Sequence, residues 1–337
     1  MKRSQASLAA LTALVLVGGL AACGNGGGST QSSSSSSSNA GAAGGGKVFG
    51  LVIPQGDKYF QGIQTGLEQA AKADGNTVVV VNSNNDAAAE ATAVQNLIQR
   101  KVDVILIQPA TSSAGSIATM KSVKAAGIPL ICYGNCTGDA ASTAVVGGVV
   151  QSDNTALGTA TGAAAAKYIK SKLGGKATIG ILNCDSFEVC KLRKAGFKKA
   201  LTDAGVKATF AADQEGYLAD KAAPIATNIL SANPDINLFW AANEGGTLGE
   251  ITAVKGAGKD IPVFGTDISD QVAQSLLDTN GILQATTGQD PVGTAKDAYG
   301  MALKAIAGAK NDPLEIGVPG TTYLRSTPDA VNAYLGK

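Results

Sequence analysis

From residue 47 onward, short apolar runs rich in β-branched residues alternate with longer Ala-rich stretches. "KVFGLVI" (47–53), "TVVVVN" (77–82), "VDVILIQ" (102–108) and "IPLICY" (128–133) predict strands, and residues 59–73, 87–100 and 114–126 predict the helices between them. "STAVVGGVV" (142–150) adds a strand and is followed by "QSDN". The rhythm then restarts, with strands at 177–183, 206–213, 236–243, 261–267 and 281–290. Helices are expected at 156–172, 188–204, 221–230 and 247–256, and a short one after 267. Strands this uniformly apolar are covered on both faces, which indicates parallel sheets with crossover helices. Two such series predict an α/β protein of two doubly wound parallel-sheet lobes.

The N-terminus has a different pattern. Lys2 and Arg3 precede a small apolar run, residues 6–20, and then "LAAC" at 20–23. A basic start, a short apolar run and small residues before a cut site read as a secretory signal over residues 1–22. A membrane-spanning helix would want about 18 or more strongly apolar residues, and this Ala- and Gly-rich run falls short. Residues 24–46, "GNGGGSTQSSSSSSSNAGAAGGG", contain nothing apolar larger than Ala and read as a tether. Of the 337 residues, 291 remain for the folded part, enough for two cores.

Without Lys2 and Arg3 the 27 basic residues fall to 25, against 26 acidic ones. That balance offers no electrostatic footprint for nucleic acid. The chain has no histidine, so the commonest acid–base group and zinc ligand is missing. This counts against the serine, cysteine and metal-dependent enzyme classes, and neither cofactor nor metal is expected. Besides Cys23 there are four cysteines, Cys132, Cys136, Cys184 and Cys190. Outside the cytoplasm an even number favours disulfides, in any of three pairings. C-x3-C with C-x5-C is not a usual zinc spacing.

Polar residues gather just past the expected carboxyl ends of the strands: Asp57, Gln108, Asn135, Asp185, Asn243 and Asp267. In open parallel sheets ligands bind at this edge.

The order of "DKYFQGIQTG", "LIQPATS", "AGIPLI", "QSDNTALG", "CKLRKAGF", "WAANEGGTLG", "VFGTD" and "GQDPVGTA" resembles the periplasmic sugar-binding proteins of ribose-binding type, the solute receptors of ABC importers. The resemblance covers the chain from Lys47. "LAAC" resembles a lipoprotein lipobox, which makes Cys23 the lipidated residue and anchors the protein to the outside of the cell membrane. The resemblance implies a monomer that closes two lobes on a carbohydrate or polyol and delivers it to an ABC transporter permease. Lobe 1 would comprise 47–151 plus about 289–310, and lobe 2 would comprise 152–288 plus about 311–337, joined by hinge strands at Ser152 and Asp153. A helix cap is the other reading of Asp153.

By position the resemblance implies ligand roles for Asp57, Gln108, Asn135, Lys191, Tyr217, Asn243, Asp267 and Gln289. Of the adjacent aromatics Tyr59 and Phe60, one would stack on the apolar face of a sugar ring. For Asn243 and Asp267, helix N-capping competes with a pocket role. Two departures stand out. Gly134 and Asn135 replace an Asp–Arg pair, and the second-lobe arginine falls on Lys191, with Arg193 two residues later. Ribose itself is therefore not expected, and a different pentose, hexose, polyol or furanose-like signal fits as well. Transport also implies disulfides within lobes, Cys132–Cys136 and Cys184–Cys190, because a bridge between lobes would lock the hinge. A sensory subunit that presents ligand to a membrane receptor would carry the same features. An extracellular sugar-processing enzyme would need two carboxylates at a defined separation, for which only Asp57 and Asp267 suggest themselves.

Overall fold

The computed structural model describes residues 46–111, 114–136 and 144–337. The signal segment, Cys23 and all but the last residue of the tether lie outside this range, as do residues 142–143 of one expected strand.

The first lobe opens with β1 (Val48–Ile53), α1 (Lys58–Ala73), β2 (Thr77–Asn82), α2 (Ala87–Gln99) and β3 (Val104–Ile107). It continues with α3 (Ala114–Ala125), β4 (Leu130–Tyr133) and β5 (Gly148–Ser152). The second lobe holds α4 (Asn154–Lys172), β6 (Lys176–Asn183), α5 (Glu188–Asp203), β7 (Lys207–Glu215) and α6 (Ala219–Ala232). It runs on through β8 (Leu238–Ala241), α7 (Glu244–Gly256), β9 (Val263–Thr266), α8 (Asp270–Leu277) and β10 (Leu283–Gly288). The chain then returns to the first lobe for α9 (Pro291–Ile306) and β11 (Glu315–Val318), and crosses again to β12 (Thr321–Leu324) and α10 (Pro328–Tyr334).

The first sheet has the order β11-β5-β4-β3-β1-β2 and the second β12-β10-β9-β8-β6-β7. In each, the strand order reverses beside the lobe's first strand, between β1 and β3 and between β6 and β8. Open α/β sheets bind ligands at such a switch point, beyond the carboxyl ends of the strands.

Three features depart from the sequence expectation. The strand expected at 142–150 begins only at Gly148. The second sheet is mixed, because β12 runs antiparallel to β10. The final passage between lobes falls near Gly320 rather than at 311, since β11 pairs with β5 in the first sheet. Residues 315–324 form two four-residue strands around "PG", too short to show a period.

Each sheet is covered on both faces. In the first lobe Phe49, Leu51, Leu106 and Ile131 pack against α1 and α9, while Val52, Ile105 and Ile107 pack against α2 and α3. In the second lobe Leu182, Phe239 and Val263 lie under α6, α7, α8 and α10. On its other face Trp240 stacks on Phe197 of α5 at 4.5 Å. Removing these side chains from water, at about 1.5–3 kcal/mol each, gives each lobe its own core. Side chains cap the helices that begin at the ligand edge: Asp57 accepts from the Phe60 N–H, Asn243 from Gly246, Ser269 from Val272 and Asp290 from Gly293.

Two buried carboxyls, Glu90 and Glu250, each with one unpartnered oxygen, oppose the packing. Glu250 on α7 is fully buried; its Oε1 accepts from the Leu182 N–H at 3.2 Å, and Oε2 meets no partner. Burial pushes its carboxyl well above the usual range. Because the folded pKa exceeds the unfolded one, the folded state holds a proton that the unfolded chain releases, and stability falls as pH rises above about 4.5. Glu250→Gln should raise the melting temperature at pH 8 by about 2–4 °C, the equivalent of about 1 kcal/mol, and leave it unchanged near pH 4. Equal gains at both pH values in a thermal melt would show that the carboxyl is not the source.

Candidate functional site

The carboxyl ends of the two sheets face each other across a cavity of about 840 Å³, within the range that encloses small-molecule ligands. Asp57, Tyr59, Phe60, Gln108 and Asn135 line it from the first lobe; Asp267 lines it from the second; Gln289 and Ser152 line it from the crossings. The lobes also touch at its rim. Lys58 of α1 pairs with Asp270 of α8 and lies 4.1 Å over the ring of Tyr334.

In the first lobe the site grows from loops at the ends of β1, β3 and β4. Asp57 caps α1 through one carboxylate oxygen, and Gln55 donates to the other. The Tyr59 hydroxyl is buried beside Thr294; burial, with the Asp267 and Asp57 carboxylates nearby and only partly offset by Thr294, pushes its pKa up to about 12. It is therefore a neutral donor throughout the physiological range. Phe60 meets Tyr59 edge to face at 5.1 Å but is buried mainly in the core of the lobe, so Tyr59 is the better placed of the two for a ligand.

Gln108 follows β3 and Asn135 follows β4. The chain between them and the core is set by Gly134, whose φ of +69° and N–H bond to Val150 O at 2.8 Å turn it sharply away from the strand. A Cβ at Gly134 would lie 1.9 Å from Gln108 Oε1, so the glycine lets the amide lie across the loop. The Cys132–Cys136 disulfide closes this loop, with Cα atoms 6.0 Å apart. Gly134→Ala should displace the Gln108 amide and strain the turn by about 1–2 kcal/mol. Ligand affinity should fall about tenfold with the fold intact, and unchanged affinity by titration calorimetry would remove Gln108 from the site.

The second lobe contributes an ion pair. Asp267, just past β9, adopts φ +72°, a conformation that side chains other than Gly, Asn and Asp rarely hold. Its Oδ2 accepts from Arg193 NH1 at 3.1 Å and its Oδ1 from Gln289 Nε2 at 3.2 Å. Arg193 is buried, and NH1 also donates to Ala242 O at 3.0 Å. The guanidinium that the resemblance replaces with Lys191 is supplied by Arg193. Lys191 is exposed and pairs with Glu188 at 3.2 Å, because two residues along a helix turn the side chain by about 200°. Arg193 sits on the buried stripe Cys190, Arg193, Gly196, Phe197, Ala200, Leu201 of α5. An arginine at the i, i+3, i+4 spacing of a core face was its signal in the sequence.

Besides Lys191, three of the expected residues do not line the cavity. Asn243 uses its oxygen to cap α7 and its Nδ2 to donate to Tyr217 O at 3.0 Å. The Tyr217 ring packs edge to face on Phe187. Asp185, one of the strand-end polar residues, pairs with Lys194 instead. At the first crossing Ser152 lines the cavity, whereas Asp153 caps α4 by accepting from Ala156 N–H at 2.8 Å.

The second disulfide, Cys184–Cys190, lies at the start of α5. That helix has no capping side chain at Phe187, and the bridge ties its first turn to the end of β6. The staple therefore fixes the entry of the helix that carries Arg193.

Residues 49–310 match the family described as "Periplasmic binding protein domain". The chain is 32% identical over 273 residues to the ABC transporter periplasmic-binding protein YphF of Escherichia coli, covering 80% of this chain and 83% of that protein. It is 30% identical over 253 residues to the ribose import binding protein RbsB of Bacillus subtilis, covering 75% and 79%. Among solved structures it is similar to an ABC transporter periplasmic solute binding protein of Actinobacillus succinogenes with bound D-allose. That likeness has a TM-score of 0.71 at 26% identity and covers 84% of this chain and 99% of the other.

Proposed function

Because the chain belongs to the periplasmic binding protein domain family, we propose that it is the extracytoplasmic receptor of an ABC importer and binds a neutral sugar or polyol between its lobes. The observation that carries this reading is the facing of two unlike polar sets across one cavity. The Arg193–Asp267 pair of the second lobe looks toward the Gln108 and Asn135 amides and the Tyr59 phenol of the first. Carboxylates accept two hydrogen bonds and amides both donate and accept, which suits vicinal hydroxyls. Four carboxylates line the cavity (Asp57, Glu244, Asp267, Asp290) against two cations, Lys58 and Arg193, so an anionic ligand is disfavoured.

Relatives named for ribose import and a neighbour holding D-allose support the same ligand class. The first-lobe loop, Gly134 and Asn135 held by a disulfide, presents an amide and no charge, which favours a sugar other than ribose. Lipidation of Cys23 would hold the receptor at the outer face of the cell membrane, beside its permease.

The test is a thermal-shift screen of D-allose, D-ribose, L-arabinose, D-tagatose, D-galactose and myo-inositol, with amino acids as the contrasting class. A ligand at about a hundred times its Kd adds about 2.7 kcal/mol of stability, a shift of several degrees. A response to amino acids alone would overturn the ligand class.

A further inference from the structure

The Arg193–Asp267 pair does not stand by itself. Starting at the first crossing, Ser152 Oγ donates to Gln289 Oε1 at 2.8 Å. Gln289 Nε2 donates to Asp267 Oδ1 at 3.2 Å, and Arg193 NH1 donates to Asp267 Oδ2 at 3.1 Å. Arg193 Nε donates to Asn154 Oδ1 at 3.0 Å, and Asn154 Nδ2 donates back to the Ser152 carbonyl at 3.0 Å. The path is a closed ring that passes through two of the three crossings between the lobes. The third is attached to it by the Asp153 N–H, which donates to Val318 O at 2.8 Å.

We infer that Ser152 and Asn154 are positioning residues for the ligand-facing ion pair, so that the hinge and the second-lobe grip form one hydrogen-bonded unit. Both amides use their donor and their acceptor ends in the ring, so neither can rotate without breaking a bond. Ser152, Asn154 and Arg193 are each more than nine-tenths buried, where water cannot replace a lost partner and neighbouring bonds polarise one another. Asn154 and Asp267 together orient the guanidinium. Among the described residues NH2 takes no protein partner, which leaves its two N–H bonds for the ligand. A twist at residues 152–154, the motion that opens two lobes, has to move Asn154 or Gln289 against Arg193 and Asp267. The geometry of the grip therefore depends on the state of the hinge.

The inference rests on the ligand-binding reading of the cavity, but its test needs no ligand. The chain has four arginines, Arg3, Arg100, Arg193 and Arg325, so the side-chain Nε–H signals of 15N-arginine-labelled protein form a small spectrum that Arg193→Lys assigns. In the wild type the Arg193 Nε–H should be strongly protected from water. Ser152→Ala removes a hydroxyl three hydrogen bonds from the guanidinium around the ring and without contact to Nε; it should shift this signal and raise its exchange about tenfold, as expected for weakening one buried hydrogen bond. Arg100 and Arg325 should not respond. Asn154→Ala should have a larger effect, whereas Asn154→Asp, which keeps an acceptor for Nε, should restore protection. An Arg193 signal unmoved by Ser152→Ala would overturn the ring. So would equal loss of protection in Asn154→Ala and Asn154→Asp, which is the mark of a merely structural role. A silent sugar screen would instead sink the ligand reading and leave this result standing.

Discussion

Arg193→Ala is expected to lower sugar affinity at least about a hundredfold, or about 3 kcal/mol, the usual effect of truncating one partner of a buried charge pair. The loss has two sources. The guanidinium's NH2, which has no partner among the described residues, can no longer donate to the ligand, and Asp267 is left without its counter-charge while still held at φ +72°. The ligand-free protein should also melt earlier, because a partly buried carboxylate is uncompensated. Asp267→Asn provides the comparison. Asparagine tolerates the left-handed backbone and keeps an acceptor, so it should retain the fold and lose affinity less steeply. Lys191→Ala, on the opposite side of α5, should change neither quantity.

The second large effect is expected at Gly158. Helices α4 and α5 approach so closely that a Cβ at Gly158 would lie 1.8 Å from the carbonyl oxygen of Arg193, and one at Gly196 would lie 2.2 Å from Thr155 O. Neither clash can be relieved by a side-chain rotation, because both involve backbone. This contact also brings Arg193 within reach of Asn154 at the start of α4. Gly158→Val should therefore force the helices apart at about 3 kcal/mol or more. At 2–4 °C for each of these, the melting temperature should fall about 10 °C. Sugar binding should be lost with it, since Arg193 moves with α5. A variant that melts normally and binds normally would show that the close packing is not needed.

Much of the architecture was legible in the chain because its strands are covered on both faces. Runs such as "VILI" and "LFWA" are fully buried in the structure, and Asp, Asn and Ser at the helix starts mark where the strands stop. The ligand edge followed from the same logic. The final segment was harder to read: β11 and β12 each span four residues, and their sheet membership is set by tertiary pairing with β5 and β10.

Within the site, loop residues such as Gln108 and Asn135 could be placed by position, since each lies within two residues of a strand end. Residues projecting from helices could not. Whether position 191 or 193 faces the cavity depends on where α5 begins. The start of that helix carries the Cys184–Cys190 bridge and no capping side chain. Asn243 shows the converse, where capping won over the ligand edge. Cys132 and Cys136 bound the loop in which this chain carries Gly134 and Asn135. The structure gives that loop a physical role, because it sets the position of Gln108 as well as Asn135.

Sugar capture through Arg193 can be read directly by native mass spectrometry of the chain from residue 46 onward with a pool of neutral monosaccharides and polyols. A one-to-one complex with at least one of them is expected, kept in Lys191→Ala and lost in Arg193→Ala. No complex with any neutral sugar or polyol, or one held equally well without Arg193, would contradict it.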